Sequence, residues 1–233
     1  MKKQILTILA TFLFSLTTTF AVAASYTIGV SGSLGFIDAS GTEKAGAGDK
    51  ESTDASASHD GVPLGSIFAE YETDYNGLVI GLEYTPGTAD VNKSVRERSD
   101  SEKSVTGTTT TTNSARVFKA SAEIENYGVL YAEYPFYNNM FVRLGYSQID
   151  VNTLEVKSSN GGSYGNASID GINYGIGVKG DMGGNMTYKA FIEHTAFESL
   201  DLTSTGNSVA SEANTLTADM DVTQFKVAFG YKF

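Results

Sequence analysis

His194 and Thr195 sit beside Glu193 and Glu198, and an imidazole with a hydroxyl and a carboxylate is the equipment of a lipid-hydrolysing triad. The local pattern, however, alternates as a strand does, so Glu193 and Thr195 face one way and His194 the other. No serine stands two residues from His194, and His59 lies among Ser, Ala and Asp with no partner in view, so no catalytic residue is expected. Gly175-Ile176-Gly177-Val178-Lys179-Gly180 fits a dinucleotide fingerprint but lies inside an alternating run and leads into a Gly-rich turn, not a helix. Asp219-Met220-Asp221 is not followed by the glycine turn and bidentate glutamate of a calcium loop. No cofactor and no metal site are expected. The remaining chemistry belongs to Glu70, Glu83, Glu133, Arg143, Lys189, Glu193 and Lys226, ionisable groups that recur at alternate positions inside apolar runs. Held together in a confined space, they would form a network of charge-assisted pairs.

Strands must position these groups. The last nine residues alternate Phe225, Val227, Phe229, Tyr231 and Phe233 with Lys226, Ala228, Gly230 and Lys232. A face this bulky opposite a face bearing ammonium groups needs an apolar surround outside and a polar interior, which is the wall of a transmembrane barrel. The same division recurs. Tyr26, Ile28, Val30, Leu34 and Phe36 oppose Thr27, Gly29, Ser31, Ser33 and Gly35; Ile67, Ala69 and Tyr71 oppose Ser66, Glu70 and Glu72; Leu78, Ile80, Leu82 and Tyr84 oppose Gly81 and Glu83. A long fourth segment over residues 117–136 sets Ala122, Ile124, Leu130, Ala132 and Tyr134 against Glu123, Glu125, Tyr131 and Glu133. Three further segments, around Val142, Ile176 and Ala190, complete eight with the C-terminal one. A soluble eight-stranded barrel would put its apolar face inside, and a lumen carrying so many charges could not serve as its core. Glycines on the lumen face make room for large side chains opposite.

Connections alternate in length. Long polar stretches cover residues 38–63, 87–116, 152–168 and 198–219, while Asn76-Gly77, Tyr137-Asn138-Asn139 and 180–185 read as tight turns. Within the first three stretches, Thr108–Thr112 reads as a solvated loop tip. Short periplasmic turns with long external loops are the pattern of outer-membrane barrels. The expected fold is all-β, an eight-stranded antiparallel up-and-down transmembrane β-barrel with four long external loops. A three-residue turn at Tyr137–Asn139 sets Glu133 opposite Arg143, and a two-residue turn at Asn76-Gly77 sets Glu70 opposite Glu83.

Met1-Lys2-Lys3, an uncharged run over residues 5–20 and Ala21-Val22-Ala23-Ala24 have the layout of a secretory signal peptide cleaved after Ala23 or Ala24, which leaves residues 25–233 as the barrel. Cysteine is absent, so neither lipidation at a cysteine nor disulfides are expected. The net charge of −11 argues against nucleic acid as a partner.

On the first strand Tyr26-Thr27-Ile28-Gly29-Val30, the long fourth strand and the closing Phe229-Gly230-Tyr231-Lys232-Phe233, the chain resembles the small OmpA-like and opacity-type outer-membrane barrels, including surface-antigen barrels of Gram-negative bacteria. The resemblance implies an outer-membrane location, a structural or adhesive surface role, lipid and lipopolysaccharide as surroundings, and an unidentified extracellular ligand. It also implies that Phe225, Phe229, Tyr231 and Phe233 form the signal read by the outer-membrane insertion machinery, and that no peptidoglycan-binding domain follows the barrel. The alternative is a narrow channel, or a lateral route for small apolar solutes as in the similar OmpW-type barrels.

Overall fold

The computed structural model describes residues 25–44, 52–92, 96–100, 103–106, 109–112, 116–156, 163–205 and 213–233, so the expected signal peptide lies outside the described residues. The strands are β1 (Ser25–Lys44), β2 (Ser52–Glu72), β3 (Val79–Asp90), β4 (Arg96–Asp100), β5 (Lys103–Thr106), β6 (Thr109–Thr112), β7 (Arg116–Tyr137), β8 (Met140–Val156), β9 (Ala167–Gly183), β10 (Met186–Phe197), β11 (Leu200–Thr203) and β12 (Thr215–Lys232). Eight of them close a ring in the order β1-β2-β3-β7-β8-β9-β10-β12, sealed by an antiparallel β1–β12 ladder from Thr27↔Lys232 to Lys44↔Thr215. Closure pairs each of the eight strands on both sides, as a barrel in lipid requires, except where β2 and β3 part beyond Ile67↔Tyr84. β4 adds to β7, β11 adds to β12, and β5 pairs with β6 as a separate hairpin. The stretch expected as a loop tip at Thr109–Thr112 is therefore strand.

Outward positions carry a belt of exposed apolar side chains, among them Val30, Leu34, Leu144, Ile172, Phe225 and Phe229. The tight turns lie on one rim together with Ser25 and Phe233, and the long connections lie on the other. Much of the long first connection is ladder, since β1 and β2 pair up to Lys44↔Ser52.

Three local expectations need correction. The β2–β3 ladder ends at Glu72↔Val79, so its turn spans residues 73–78 and is not centred on Asn76-Gly77. Both of those residues take left-handed backbone, φ 52° and 71°, but inside a longer turn closed by Thr73 N to Leu78 O at 2.8 Å. Glu70 therefore lies opposite Gly81, and Glu83 opposite Phe68. At the next turn Tyr137 pairs with Met140 around Asn138-Asn139, and a bulge between Pro135 and Tyr137 restores the expected Glu133↔Arg143 register. In β7 a second bulge, between Glu125 and Gly128 with Asn126 at φ 55°, inverts the parity above it. Ile124 consequently points inward and is buried, with Ala122 packed against the same inner cluster, where alternation alone had set Glu123 and Glu125.

Candidate functional site in the barrel lumen

The barrel brings all seven expected network residues together. Glu70 and Glu83 come from β2 and β3, Glu133 and Arg143 from β7 and β8, Lys189 and Glu193 from β10, and Lys226 from β12; all are buried. Their pairing differs from that expected of neighbours in the ladder. Arg143 does not bond Glu133, its register partner. It donates from Nη2 to Glu83 Oε2 at 2.8 Å and sets Nη1 3.3 Å from Glu193 Oε2. Lys226 closes the same square, 2.7 Å from Glu83 Oε1 and in contact with Glu193. Lys189 instead bridges Glu133, at 2.5 Å, and Glu70. Apart from Lys226 with Glu193, which join the neighbouring strands β12 and β10, these contacts reach across the lumen between strands that share no ladder. Glu83 and Glu193 thus lie between two cations, whereas Glu70 and Glu133 share one.

Aromatic rings complete the layer. Tyr131 Oη donates to Glu70 Oε1 at 2.6 Å, and the Arg143 guanidinium stacks 3.4 Å above the Tyr131 ring centre. Gly81 stands where any Cβ would come within 2.3 Å of that ring, which is why this lumen position is bare. Phe68, Phe141, Phe191 and Ala228 form a small apolar cluster alongside. Above the charges lies a neutral polar layer. Ser33 donates to Gln224 Oε1 at 2.9 Å, Asn173 Nδ2 donates to Thr195 Oγ1 at 2.9 Å, and Tyr127 Oη meets the same threonine at 2.7 Å. Higher still the lumen turns apolar, with Ile37, Val62, Ile124, Ile149, Ile169 and Val222 buried in one cluster. No sequence pattern considered above signalled this outer core.

At the short-turn rim Glu72 accepts from Lys232 Nζ at 2.6 Å and from Ser25 Oγ at 3.0 Å. Partial burial raises the Glu72 carboxyl, but the hydrogen bond and charge of Lys232 outweigh it and hold the group below its usual range. His194 faces outward, bonded through Nδ1 to Thr223 Oγ1 at 2.9 Å and set at a tilt against the Tyr174 ring, while Glu193 and Thr195 are sealed inside, so the triad geometry is not assembled. His59 has a partner after all: Nδ1 lies 2.8 Å from the backbone oxygen of Asp90.

One part of the wall is not laddered. Pairing of β2 with β3 stops at Ile67↔Tyr84, although both strands continue. Pro63 and Pro86, which have no N–H to contribute, stand on the two sides of this seam. Behind it is an apolar cavity lined by Leu64, Ala89, Ile124, Tyr127, Ile149 and Phe197. Two prolines inside strand-like runs were the signal that could have located the seam.

The family described as "Outer membrane protein beta-barrel domain" matches residues 6–233. Among solved structures, the outer membrane protein OprG from Pseudomonas aeruginosa is similar over 91% of this chain and 96% of its own, at 13% identity and a TM-score of 0.52. Neisserial surface protein A is similar over 91% of this chain and 100% of its own, at 11% identity and a TM-score of 0.40. Among curated proteins no sequence matches the chain.

Proposed function

The chain belongs to the outer membrane protein β-barrel family and lies in the outer membrane, and we propose that it is an axially closed barrel whose work is done by its outer rim, as a structural and surface-interaction protein. The observation that supports this reading is the filled cross-section. Glu133, Glu193, Asn173, Thr195 and Gln224 are fully buried at the middle of the lumen, with Ile37 and Ile149 fully buried above them, a packing among the described residues that argues against an axial path for ions. The β1–β2 hairpin meanwhile carries paired strand to Lys44 and Ser52, well past the apolar belt. In planar bilayers the purified protein should show baseline conductance, and replacing residues 42–54 with a tight turn should abolish attachment of whole cells to a host surface without lowering barrel content. Steady unitary conductance, or unchanged attachment, would sink this reading.

Assembly is part of the proposal. Phe225, Phe229 and Tyr231 face outward on β12 and Phe233, just past its end, is exposed, which supports reading the four as the signal for the insertion machinery. Phe233→Ser should lower heat-modifiable, membrane-embedded protein several-fold while export continues.

A second reading is favoured by the seam: a lateral route by which small apolar solutes pass between the lumen's outer part and the membrane. The cavity behind the seam is lined almost wholly by carbon, which suits such solutes. Proteoliposome uptake of a small hydrocarbon, equal with and without the protein, would remove it.

A further inference from the structure

The charged layer of the lumen divides into two groups of unequal charge. Glu83 and Glu193 with Arg143 and Lys226 make a square of two anions and two cations. Glu70 and Glu133 with Lys189 make a triad of two anions and one cation. The square is neutral, and the triad is one positive charge short. We propose that the triad binds one proton, held on Oε1 of Glu133, and that the network closing the lumen is electroneutral only with this proton in place. The site is independent of whatever the outer rim binds.

No other buried group supplies the missing charge, because the buried ionisable acids and bases among the described residues are these seven alone. Arg143, the register partner of Glu133, spends both terminal nitrogens on Glu83 and Glu193. The surroundings are dry. Glu133 is fully buried, and the Lys189 ammonium lies 5.6 Å from the Phe141 ring centre and 5.9 Å from that of Phe68. Both carboxylates touch the same nitrogen, so they are close neighbours, and one cation cannot neutralise two anions in so apolar a place. A buried carboxylate without a counter-charge takes up a proton in preference to staying ionised.

The hydrogen bonds show which of the two takes it. Glu70 Oε1 accepts from Tyr131 Oη at 2.6 Å and also from Lys189, two donors that suit a charged carboxylate. Glu133 accepts from Lys189 through Oε2, and its Oε1 is sealed without a partner. The other sealed carboxylate oxygens without a hydrogen bond, both on Glu193, stand against Lys226 and Arg143. Oε1 of Glu133 is therefore the atom left for a proton. Uptake is a plain acid–base step in which hydronium gives its proton to Oε1 and leaves as water. An alkali-metal ion suits the site less well. The void beside Glu133 is about 10 Å³ and is bordered by Arg143 and Lys189, whose charges repel a further cation, whereas a proton needs only the oxygen it sits on.

The charged and titratable groups around this carboxyl are Glu70 from β2, Glu83 from β3, Tyr131 from β7, Arg143 from β8, Lys189 and Glu193 from β10, and Lys226 from β12. Loss of the proton would set Glu133 against Glu70 across Lys189, a repulsion inside the layer that closes the lumen.

The test is infrared spectroscopy of the whole protein in lipid nanodiscs at neutral pH, where the C=O stretch of a protonated carboxyl stands apart from the bands of ionised carboxylates. Wild type should show one such band, moved by carbon-13 glutamate labelling. Glu133→Gln should remove the band and Glu72→Gln, at the rim, should keep it. In denaturant the unfolding constant of Glu133→Gln should stay within about threefold of wild type, whereas Glu83→Gln, which leaves Arg143 and Lys226 a single carboxylate, should raise it more than about a hundredfold. The contrast arises because a glutamine amide can accept from Lys189 and set its N–H where the O–H stood. A wild type without the band, a band untouched by Glu133→Gln, or a Glu133→Gln barrel that fails to fold or is as unstable as Glu83→Gln would overturn the proposal. A missing band with stability lost when sodium is replaced by choline would overturn it in favour of an alkali-metal ion.

Discussion

On the short-turn side of the lumen the inward positions of β1 and β12 are Ser31, Ser33, Lys226 and Gln224; further out, in unbroken register, the inward positions become Ile37, Ala39, Val222 and Met220. The outward positions change in the opposite sense, from Val30, Leu34 and Phe225 to Asp38, Ser40, Asp221 and Asp219. Both changes fall together, near the edge-to-face contact of Phe36 and Phe225 at 5.8 Å. Below that level lipid surrounds the wall, and apolar side chains gain by facing out while the charges are left to neutralise one another inside. Above it water surrounds the wall, and the strands can stay erect only by burying an apolar core of their own, as a soluble barrel does. One chain is thus inside-out in its lower half and conventional in its upper half, and strand parity is common to both.

The sharpest way to break this comparison is to remove a charge below and a buried aliphatic side chain above. Arg143→Ala leaves Glu83 and Glu193 with Lys226 alone, and breaking a buried pair from one side should destabilise the barrel by about 3–5 kcal/mol. It should also raise bilayer conductance if water fills the gap. Unchanged unfolding in denaturant together with unchanged conductance would show that the network is not what closes the lumen.

In the outer core Ile149 is fully buried, and Ile149→Ala should cost about 2–4 kcal/mol. Here conductance should stay at baseline, because a cavity lined by carbon does not fill with water. A conductance rise equal to that of Arg143→Ala would mean the two halves do not differ in the way described.

The outer surface supplies a third contrast. Leu144 is 63% exposed within the belt, and Leu144→Arg should cost about 2 kcal/mol. Asp219→Arg, at an exposed position above the belt, should change stability by less than about 0.5 kcal/mol. Equal losses at the two sites would place the lipid boundary elsewhere.

Much of this was legible in the sequence, and the reasons for success and failure are physical. The eight strands, their inward charges and the Glu133↔Arg143 register follow from period-two alternation, which a one-residue slip would have inverted. Which carboxylate each cation takes was not legible, because Arg143 and Lys189 choose across the axis, where sequence spacing says nothing. The outer core was missed for a different reason. Its alternation continues with reversed polarity, so Asp38 and Asp219 read as loop when they are the wet face of strand. The bulge at Asn126 hid Ile124 in the same way, since alternation cannot be carried through an extra residue.

The smallest effect belongs to the one ion pair described at the rim, and it tests whether solvent separates the rim from the lumen. Glu72 and Lys232 have the same chemistry as Glu83 and Lys226 but are 38% and 40% exposed. Screening reduces such a pair to a few tenths of a kcal/mol. Because Lys232 holds the Glu72 carboxyl below its usual range, the folded protein gives up this proton more readily than the unfolded chain does. The stabilisation is therefore complete above the ordinary carboxylate range, at about pH 4.3, and fades as pH falls through the lower folded value. Glu72→Gln should melt slightly below wild type at pH 7, the difference should vanish on acidification below that range, and 1 M salt at pH 7 should shrink it as well. A difference that persists at low pH and in high salt would mean that Glu72 acts through packing at the rim rather than through its charge.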